Sequence, residues 1–235
     1  SVHQTIFNGL HADGFAPQVL AEWAAFLDLY ITKEVPSNNP ALGFLTPVLT
    51  DGIFGGNVPF PADRWTDVST HAEALARWES EDPIRVLMEN GAGGDPYLPV
   101  AAWEFSTDAW PPAGTTAQRY YLQADGQLAE SGADEPGTGV ALHPNPEVSQ
   151  TRWWVGGDIW SNPTVEWIPQ AEGENARFQS APLTSDVVMA GTVSVDLWVK
   201  SDADNAELEA LLTEIRPDGE EVRVQVGQLE WAYRG

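Results

Sequence analysis

The side chains of this chain whose ordinary pKa lies nearest neutrality are four histidines, His3, His11, His71 and His143. Imidazole is the group that can both take and return a proton at pH 7. The four are scattered, with no H-x-x-x-H pair, and the chain has no cysteine. Disulfides and thiolate metal sites are therefore excluded, and the spacing points to no metal centre and no cofactor. Asp202 and Asp204 fall in an acidic turn without EF-hand spacing and read as a solvated surface loop.

His11 differs from the others in its setting. It follows an apolar stretch, residues 2–10, that reads as a strand end, and it precedes Ala12-Asp13-Gly14-Phe15-Ala16-Pro17, a loop leading into a helix. In a parallel α/β sheet, groups just past the carboxyl end of a strand line the active crevice. A histidine there can act as general base, taking a hydroxyl proton and giving it to the leaving group. A purely structural loop histidine is the competing reading. Acyl transfer also needs a nucleophile and an orienting acid. No Gly-x-Ser-x-Gly occurs, and Ser69, Ser80, Ser106 and Ser161 lack the strand–elbow–helix setting. Taken as a complete enzyme, the chain has no triad.

Several elements must position these groups. Over residues 18–31, Val19, Trp23, Phe26, Leu27, Tyr30 and Ile31 recur at three- and four-residue spacing, which predicts an amphipathic helix with Pro17 in its first turn and Pro36 beyond its end. Residues 37–61 are rich in Pro, Gly and Asn yet carry Leu42, Phe44, Leu45, Val48, Leu49, Ile53 and Phe54, and are expected to form short helical turns packed on a neighbouring surface. A further short helix is expected over 72–78, capped near Ser69 or Thr70. Asp82-Pro83 opens a different regime of short strands and loops: a strand over 84–89, a flexible Gly91-Ala92-Gly93-Gly94 loop lacking the lysine of a phosphate loop, an extended Trp103 and Phe105 segment, and a strand at 119–122 with an Asp125-Gly126 turn. The clearest strand signals lie between 178 and 226. Residues 193–199 alternate apolar and polar, 208–215 follow, Arg216-Pro217-Asp218-Gly219 makes a tight reversal, and Val222, Val224 and Val226 resume the alternation. A short helix over 205–212 is the alternative there.

Charge narrows the partners. The 235 residues carry 35 acidic and 11 basic side chains, a formal net of −24. Such a surface repels nucleic-acid phosphates and anionic membranes, and suits solubility or a high-salt setting. No apolar run is long enough for a membrane span. Cytoplasmic and secreted settings both remain open.

Taken together, these segments resemble the CocE/NonD serine hydrolases, the group that includes cocaine esterase, alpha-amino-acid ester hydrolases, glutaryl acylases and X-Pro dipeptidyl-peptidases. Asn8-Gly9-Leu10-His11-Ala12-Asp13-Gly14, with Pro17, Trp23, residues 26–30 and Val35-Pro36, resembles the catalytic-histidine segment and the helix after it. Residues 83–86 with Trp103 and Trp110-Pro111-Pro112 resemble the entry to the C-terminal β domain. Residues 121–128, 180–186, 191–204 and 216–219 are similar to its strands and turns. The chain has Ala12 where many relatives have glycine, and Asp204-Asn205-Ala206-Glu207-Leu208 where they often have Asp-Thr-Asp-Phe.

The resemblance implies a mixed fold. Residues 1–36 would be the last strand and helix of an α/β-hydrolase core, 37–81 a helical connection packed on it, and 82–235 a jelly-roll β-sandwich. It implies a serine hydrolase acting on small-molecule or short-peptide esters or amides, with His11 as triad base. The serine and aspartate would lie on a preceding segment or chain, and further jelly-roll strands would follow, so the sequence is expected to be part of a larger polypeptide. Two other readings stand beside this. One is a carbohydrate- or ligand-binding β-sandwich using Trp153, Trp154, Trp160 and Trp167; the other is a purely structural assembly subunit.

Overall fold

The structure, a computed structural model, describes residues 2–9, 11–37, 40–94, 98–132, 139–141, 175–201 and 206–230. They divide into two compact units, one running to Ala113 and one from Gly114 onward.

The first unit is built on a three-stranded sheet of order β1-β2-β3, from Gln4–Phe7 (β1), Ile84–Asn90 (β2) and Ala101–Thr107 (β3). β1 and β2 are parallel, with Gln4 opposite Ile84 and Phe7 opposite Leu87; β2 and β3 are antiparallel. Parallel strands cannot be joined by a tight turn. The chain between β1 and β2 fills that connection with helices. The glycine run after β2 is no free loop: the N–H groups of Gly91 and Gly93 both donate to the Val100 carbonyl, at 3.0 and 2.9 Å. Gly93 lies so close to the Ala101 carbonyl that a Cβ would overlap it. The glycines let the chain fold back closely from β2 to β3. The sheet also joins residues on both sides of Asp82, where the sequence places a domain boundary.

A helix, Pro17–Leu27 (α1), starts with Pro17 in its first turn as expected and continues into one wider π turn, Asp28–Thr32. Lys33, in the left-handed region at φ 59°, ends it. Its beginning packs Ala16 and Val19 against Phe54, Val58 and Leu98; its end packs Ala25 and Leu29 against Trp65, Ala74 and Trp78. One amphipathic helix thus serves both apolar clusters of this unit.

Where short helical turns were expected, Pro40–Phe54 (α2) is one helix of 15 residues with Pro47 inside it. Proline removes one backbone donor, but the C-terminal half is held by tertiary contacts. Phe54 is buried in the first cluster, and the Thr50 hydroxyl accepts from the buried Val58 N–H at 3.1 Å. Phe44 and Val48, by contrast, are exposed. The helix His71–Ser80 (α3) has Thr70 as N-cap: its hydroxyl accepts from Glu73 N–H while the Glu73 carboxylate accepts from Thr70 N–H, a capping box.

The second unit contains Tyr121–Leu122 (β4), Gln127–Ala129 (β5) and Gln179–Ser180 (β6) in one sheet, and a hairpin of Glu207–Ile215 (β7) and Glu221–Glu230 (β8). Strand rather than helix therefore forms over 207–215. The Arg216–Gly219 reversal closes with Gly219 N–H donating to the Arg216 carbonyl at 2.9 Å and Gly219 at φ 88°. Residues 193–199 depart from expectation. No strand pairs with them among the described residues, and Val193, Val195, Leu197 and Trp198 are exposed. Alternation supplies two distinct faces, but a strand also needs a neighbour for its backbone hydrogen bonds. The unit's described sheets are small and do not make up a complete sandwich.

Candidate active site

The candidate base opens a tight 3-10 turn. His11–Phe15 begins just past the carboxyl end of β1, and β1 runs parallel to its neighbour β2. This is the position from which open α/β sheets present functional groups.

The turn is fixed from beneath rather than by its own length. Ala12 and Ala16 are buried in the first apolar cluster, and Ala16 N–H donates to the Asp13 carbonyl at 3.0 Å, closing the turn before Pro17 starts α1. Between them Asp13 is buried too, at 8% exposure. A buried carboxylate is stable only with hydrogen-bond donors around it. The Asn90 side-chain amide, at the end of β2, donates to Asp13 Oδ2 at 3.0 Å, across 77 residues of chain. Gly9 leaves the space that this carboxylate fills. A Cβ on Gly9 would stand 2.5 Å from Asp13 Oδ2 and 2.9 Å from the Phe7 ring. Gly9, Asp13 and Asn90 therefore form one contact set linking the ends of β1 and β2 to the turn that His11 begins. Asn90 Oδ1 is buried and has no partner among the described residues. The side chain is thus held by what its amide nitrogen donates to.

The remaining histidines have other surroundings. The His3 ring packs on the Trp78 ring with centroids 4.5 Å apart, and burial pushes its pKa below the ordinary value, against the attraction of Glu81. His71 Nε2 lies 2.8 Å from the Leu29 carbonyl oxygen. His143 falls outside the described residues, as do Ser161, Asp202, Asp204 and the four tryptophans considered for sugar stacking. Of the serines considered, Ser80 donates to the Arg77 carbonyl at 2.7 Å, Ser69 precedes the α3 cap and Ser106 lies within β3. None of these three stands on a strand-to-helix elbow. Among the described residues no group of three or more His, Asp or Glu could hold a metal ion, and no helix is long and apolar enough to cross a membrane.

Sequence reasoning singles out His11 and misses Asn90. The β2 assignment places Asn90 at a strand end, but its bond to Asp13 joins positions that no local pattern relates.

Residues 76–235 match the X-Pro dipeptidyl-peptidase C-terminal non-catalytic domain, a β-sandwich-type domain. The chain belongs to that family, which fits the resemblance to the CocE/NonD hydrolases. Proteins named "putative serine esterase" from Mycobacterium bovis and Mycobacterium tuberculosis are each 30% identical over 166 residues, covering 62% of this chain and 24% of the relative. The match thus spans about a quarter of those relatives' length. No solved structure matches the chain.

Proposed function

We propose that this chain is the C-terminal portion of a serine acyl hydrolase, cleaving small-molecule or short-peptide esters or amides, with His11 as the triad base. The observation that carries the reading is the placement of His11 at the start of a braced turn past the carboxyl end of a parallel strand. The serine-esterase names of the mycobacterial relatives support it. The family domain over 76–235 is the non-catalytic one, which leaves the chemistry of this chain to the residues before it, where His11 lies.

In this mechanism a serine hydroxyl attacks the acyl carbon as His11 takes its proton. His11 then gives that proton to the departing alcohol or amine. Water, deprotonated by the same imidazole, cleaves the acyl-enzyme, and backbone N–H groups hold the oxyanion. In this proposal, which follows the resemblance to the CocE/NonD hydrolases, the serine and the orienting aspartate are supplied by a preceding segment of the same polypeptide or by a partner chain. The role of the β domain is accessory.

The test is intact mass and peptide mapping after a fluorophosphonate probe reacts with the polypeptide or complex that contains this chain, together with hydrolysis of a nitrophenyl ester. One adduct is expected, on a serine outside the 235 residues. His11→Gln should lower kcat by about 10⁴-fold or more with an unchanged circular dichroism spectrum. A labelled serine within these residues, or a fully active His11→Gln variant, would sink the proposal.

A further inference from the structure

We propose that Asn90 is a positioning residue for His11, acting through the buried carboxylate of Asp13. The inference rests on the reading of His11 as the triad base and adds to it a residue from the neighbouring strand.

Three observations converge on the pair. Asp13 is buried, two residues after His11 and within the same turn. Its Oδ2 receives the Asn90 amide at 3.0 Å and lies against the Gly9 backbone, where even a methyl group would not fit. Asn90 is itself fixed, because it ends β2 in register with Ala101 of β3. Gly9, just past β1, therefore lies between the Phe7 ring and the Asp13 carboxylate with no room for a side chain. A buried polar group left without its hydrogen bond is costly, so the Asn90–Asp13 bond strongly favours the arrangement that makes it. Catalysis by a base is steep in position, and a misplacement of about 1 Å can cost about a hundredfold in rate. Asn90 would thus govern activity through the placement of the turn, with no contact to substrate required of it.

The pairing has a chemical signature that a purely packing role lacks. The carboxylate accepts and the amide donates, so exchanging the two residues reverses the bond while keeping it. Asn90→Asp places two carboxylates together and should loosen the turn. Asp13→Asn combined with Asn90→Asp should restore it.

Two measurements decide the matter. The first is backbone hydrogen exchange over residues 8–16, read in the polypeptide or complex that contains this chain. Asn90→Ala and Asn90→Asp should each raise exchange there by about tenfold or more, and the exchanged pair should return it toward the parent rate. Unchanged exchange in both single variants overturns the proposal. The second is ester hydrolysis by the polypeptide that carries both this chain and the nucleophile. Asn90→Ala should lower kcat by about ten- to a hundredfold with KM within about twofold, and the exchanged pair should recover most of the loss. If His11→Gln abolishes activity while Asn90→Ala leaves kcat untouched, the positioning role fails and the catalytic reading stands. If His11→Gln is fully active, the catalytic reading fails, and the positioning role falls with it, whatever the exchange rates show about the clamp.

Discussion

His71 Nε2 lies 2.8 Å from the carbonyl oxygen of Leu29, joining the first residue of α3 to the π turn at the end of α1. A carbonyl can only accept, so the ring carries its proton on Nε2. The contact pins the point where α1 widens, next to the fully buried Leu29.

Removing that donor should destabilise the first unit. His71→Phe keeps an aromatic ring but leaves the Leu29 carbonyl without this partner, at a cost of about 1–2 kcal/mol. Urea unfolding followed by tryptophan fluorescence measures it. A midpoint equal to that of the parent would show that the contact contributes nothing.

The capping box predicts a smaller, local effect. Thr70→Ala removes the hydroxyl that accepts from Glu73 N–H at 3.3 Å and should cost about 1 kcal/mol. Thr70→Ser should keep nearly all of the stability. The Glu73 carboxyl is held below its ordinary pKa by hydrogen bonds from Thr70 and then Ser69. Carbon-detected NMR titration of Glu73 should show that depression relax toward the ordinary value in Thr70→Ala.

His3 gives a pH dependence whose sign is fixed. Burial lowers its folded-state pKa below the ordinary 6.5, so the unfolded chain binds this proton more readily. Its contribution is complete above pH 6.5 and is lost as pH falls through the folded-state value. Thirty-five carboxylates also titrate in acid, so the informative quantity is the stability difference between the parent and His3→Phe. That difference should shift in favour of His3→Phe between about pH 7.5 and pH 5. A pH-independent difference would remove His3 as a source of acid sensitivity.

In the second unit the hairpin turn depends on one glycine. Gly219 sits at φ 88°, which an L side chain adopts only with strain, although open space surrounds it. Gly219→Ala should therefore cost about 1 kcal/mol from the backbone alone. Gly227, within β8 and equally unobstructed, is the control, since alanine there should be neutral or stabilising. Comparing thermal midpoints of the two variants separates backbone strain from crowding.

Local pattern by itself determined much of this molecule: the amphipathic spacing and Pro17 of α1, a helix cap at Ser69 or Thr70, of which the structure uses Thr70, and the β7–β8 reversal around Asp218-Gly219. Each is decided by residues within a few positions of one another, through helical periodicity, side-chain capping or the φ that proline and glycine permit. The same local reading marked His11 as the residue after a strand. It could not decide whether Pro47 would break a helix, because Phe54 and the Thr50–Val58 bond come from tertiary packing. Nor could it decide that residues 193–199 lack a partner strand among the described residues, since pairing depends on a distant segment. The Asp13–Asn90 bond belongs with these. Its two ends are 77 residues apart, and only the parallel pairing of β1 with β2 brings them within 3.0 Å.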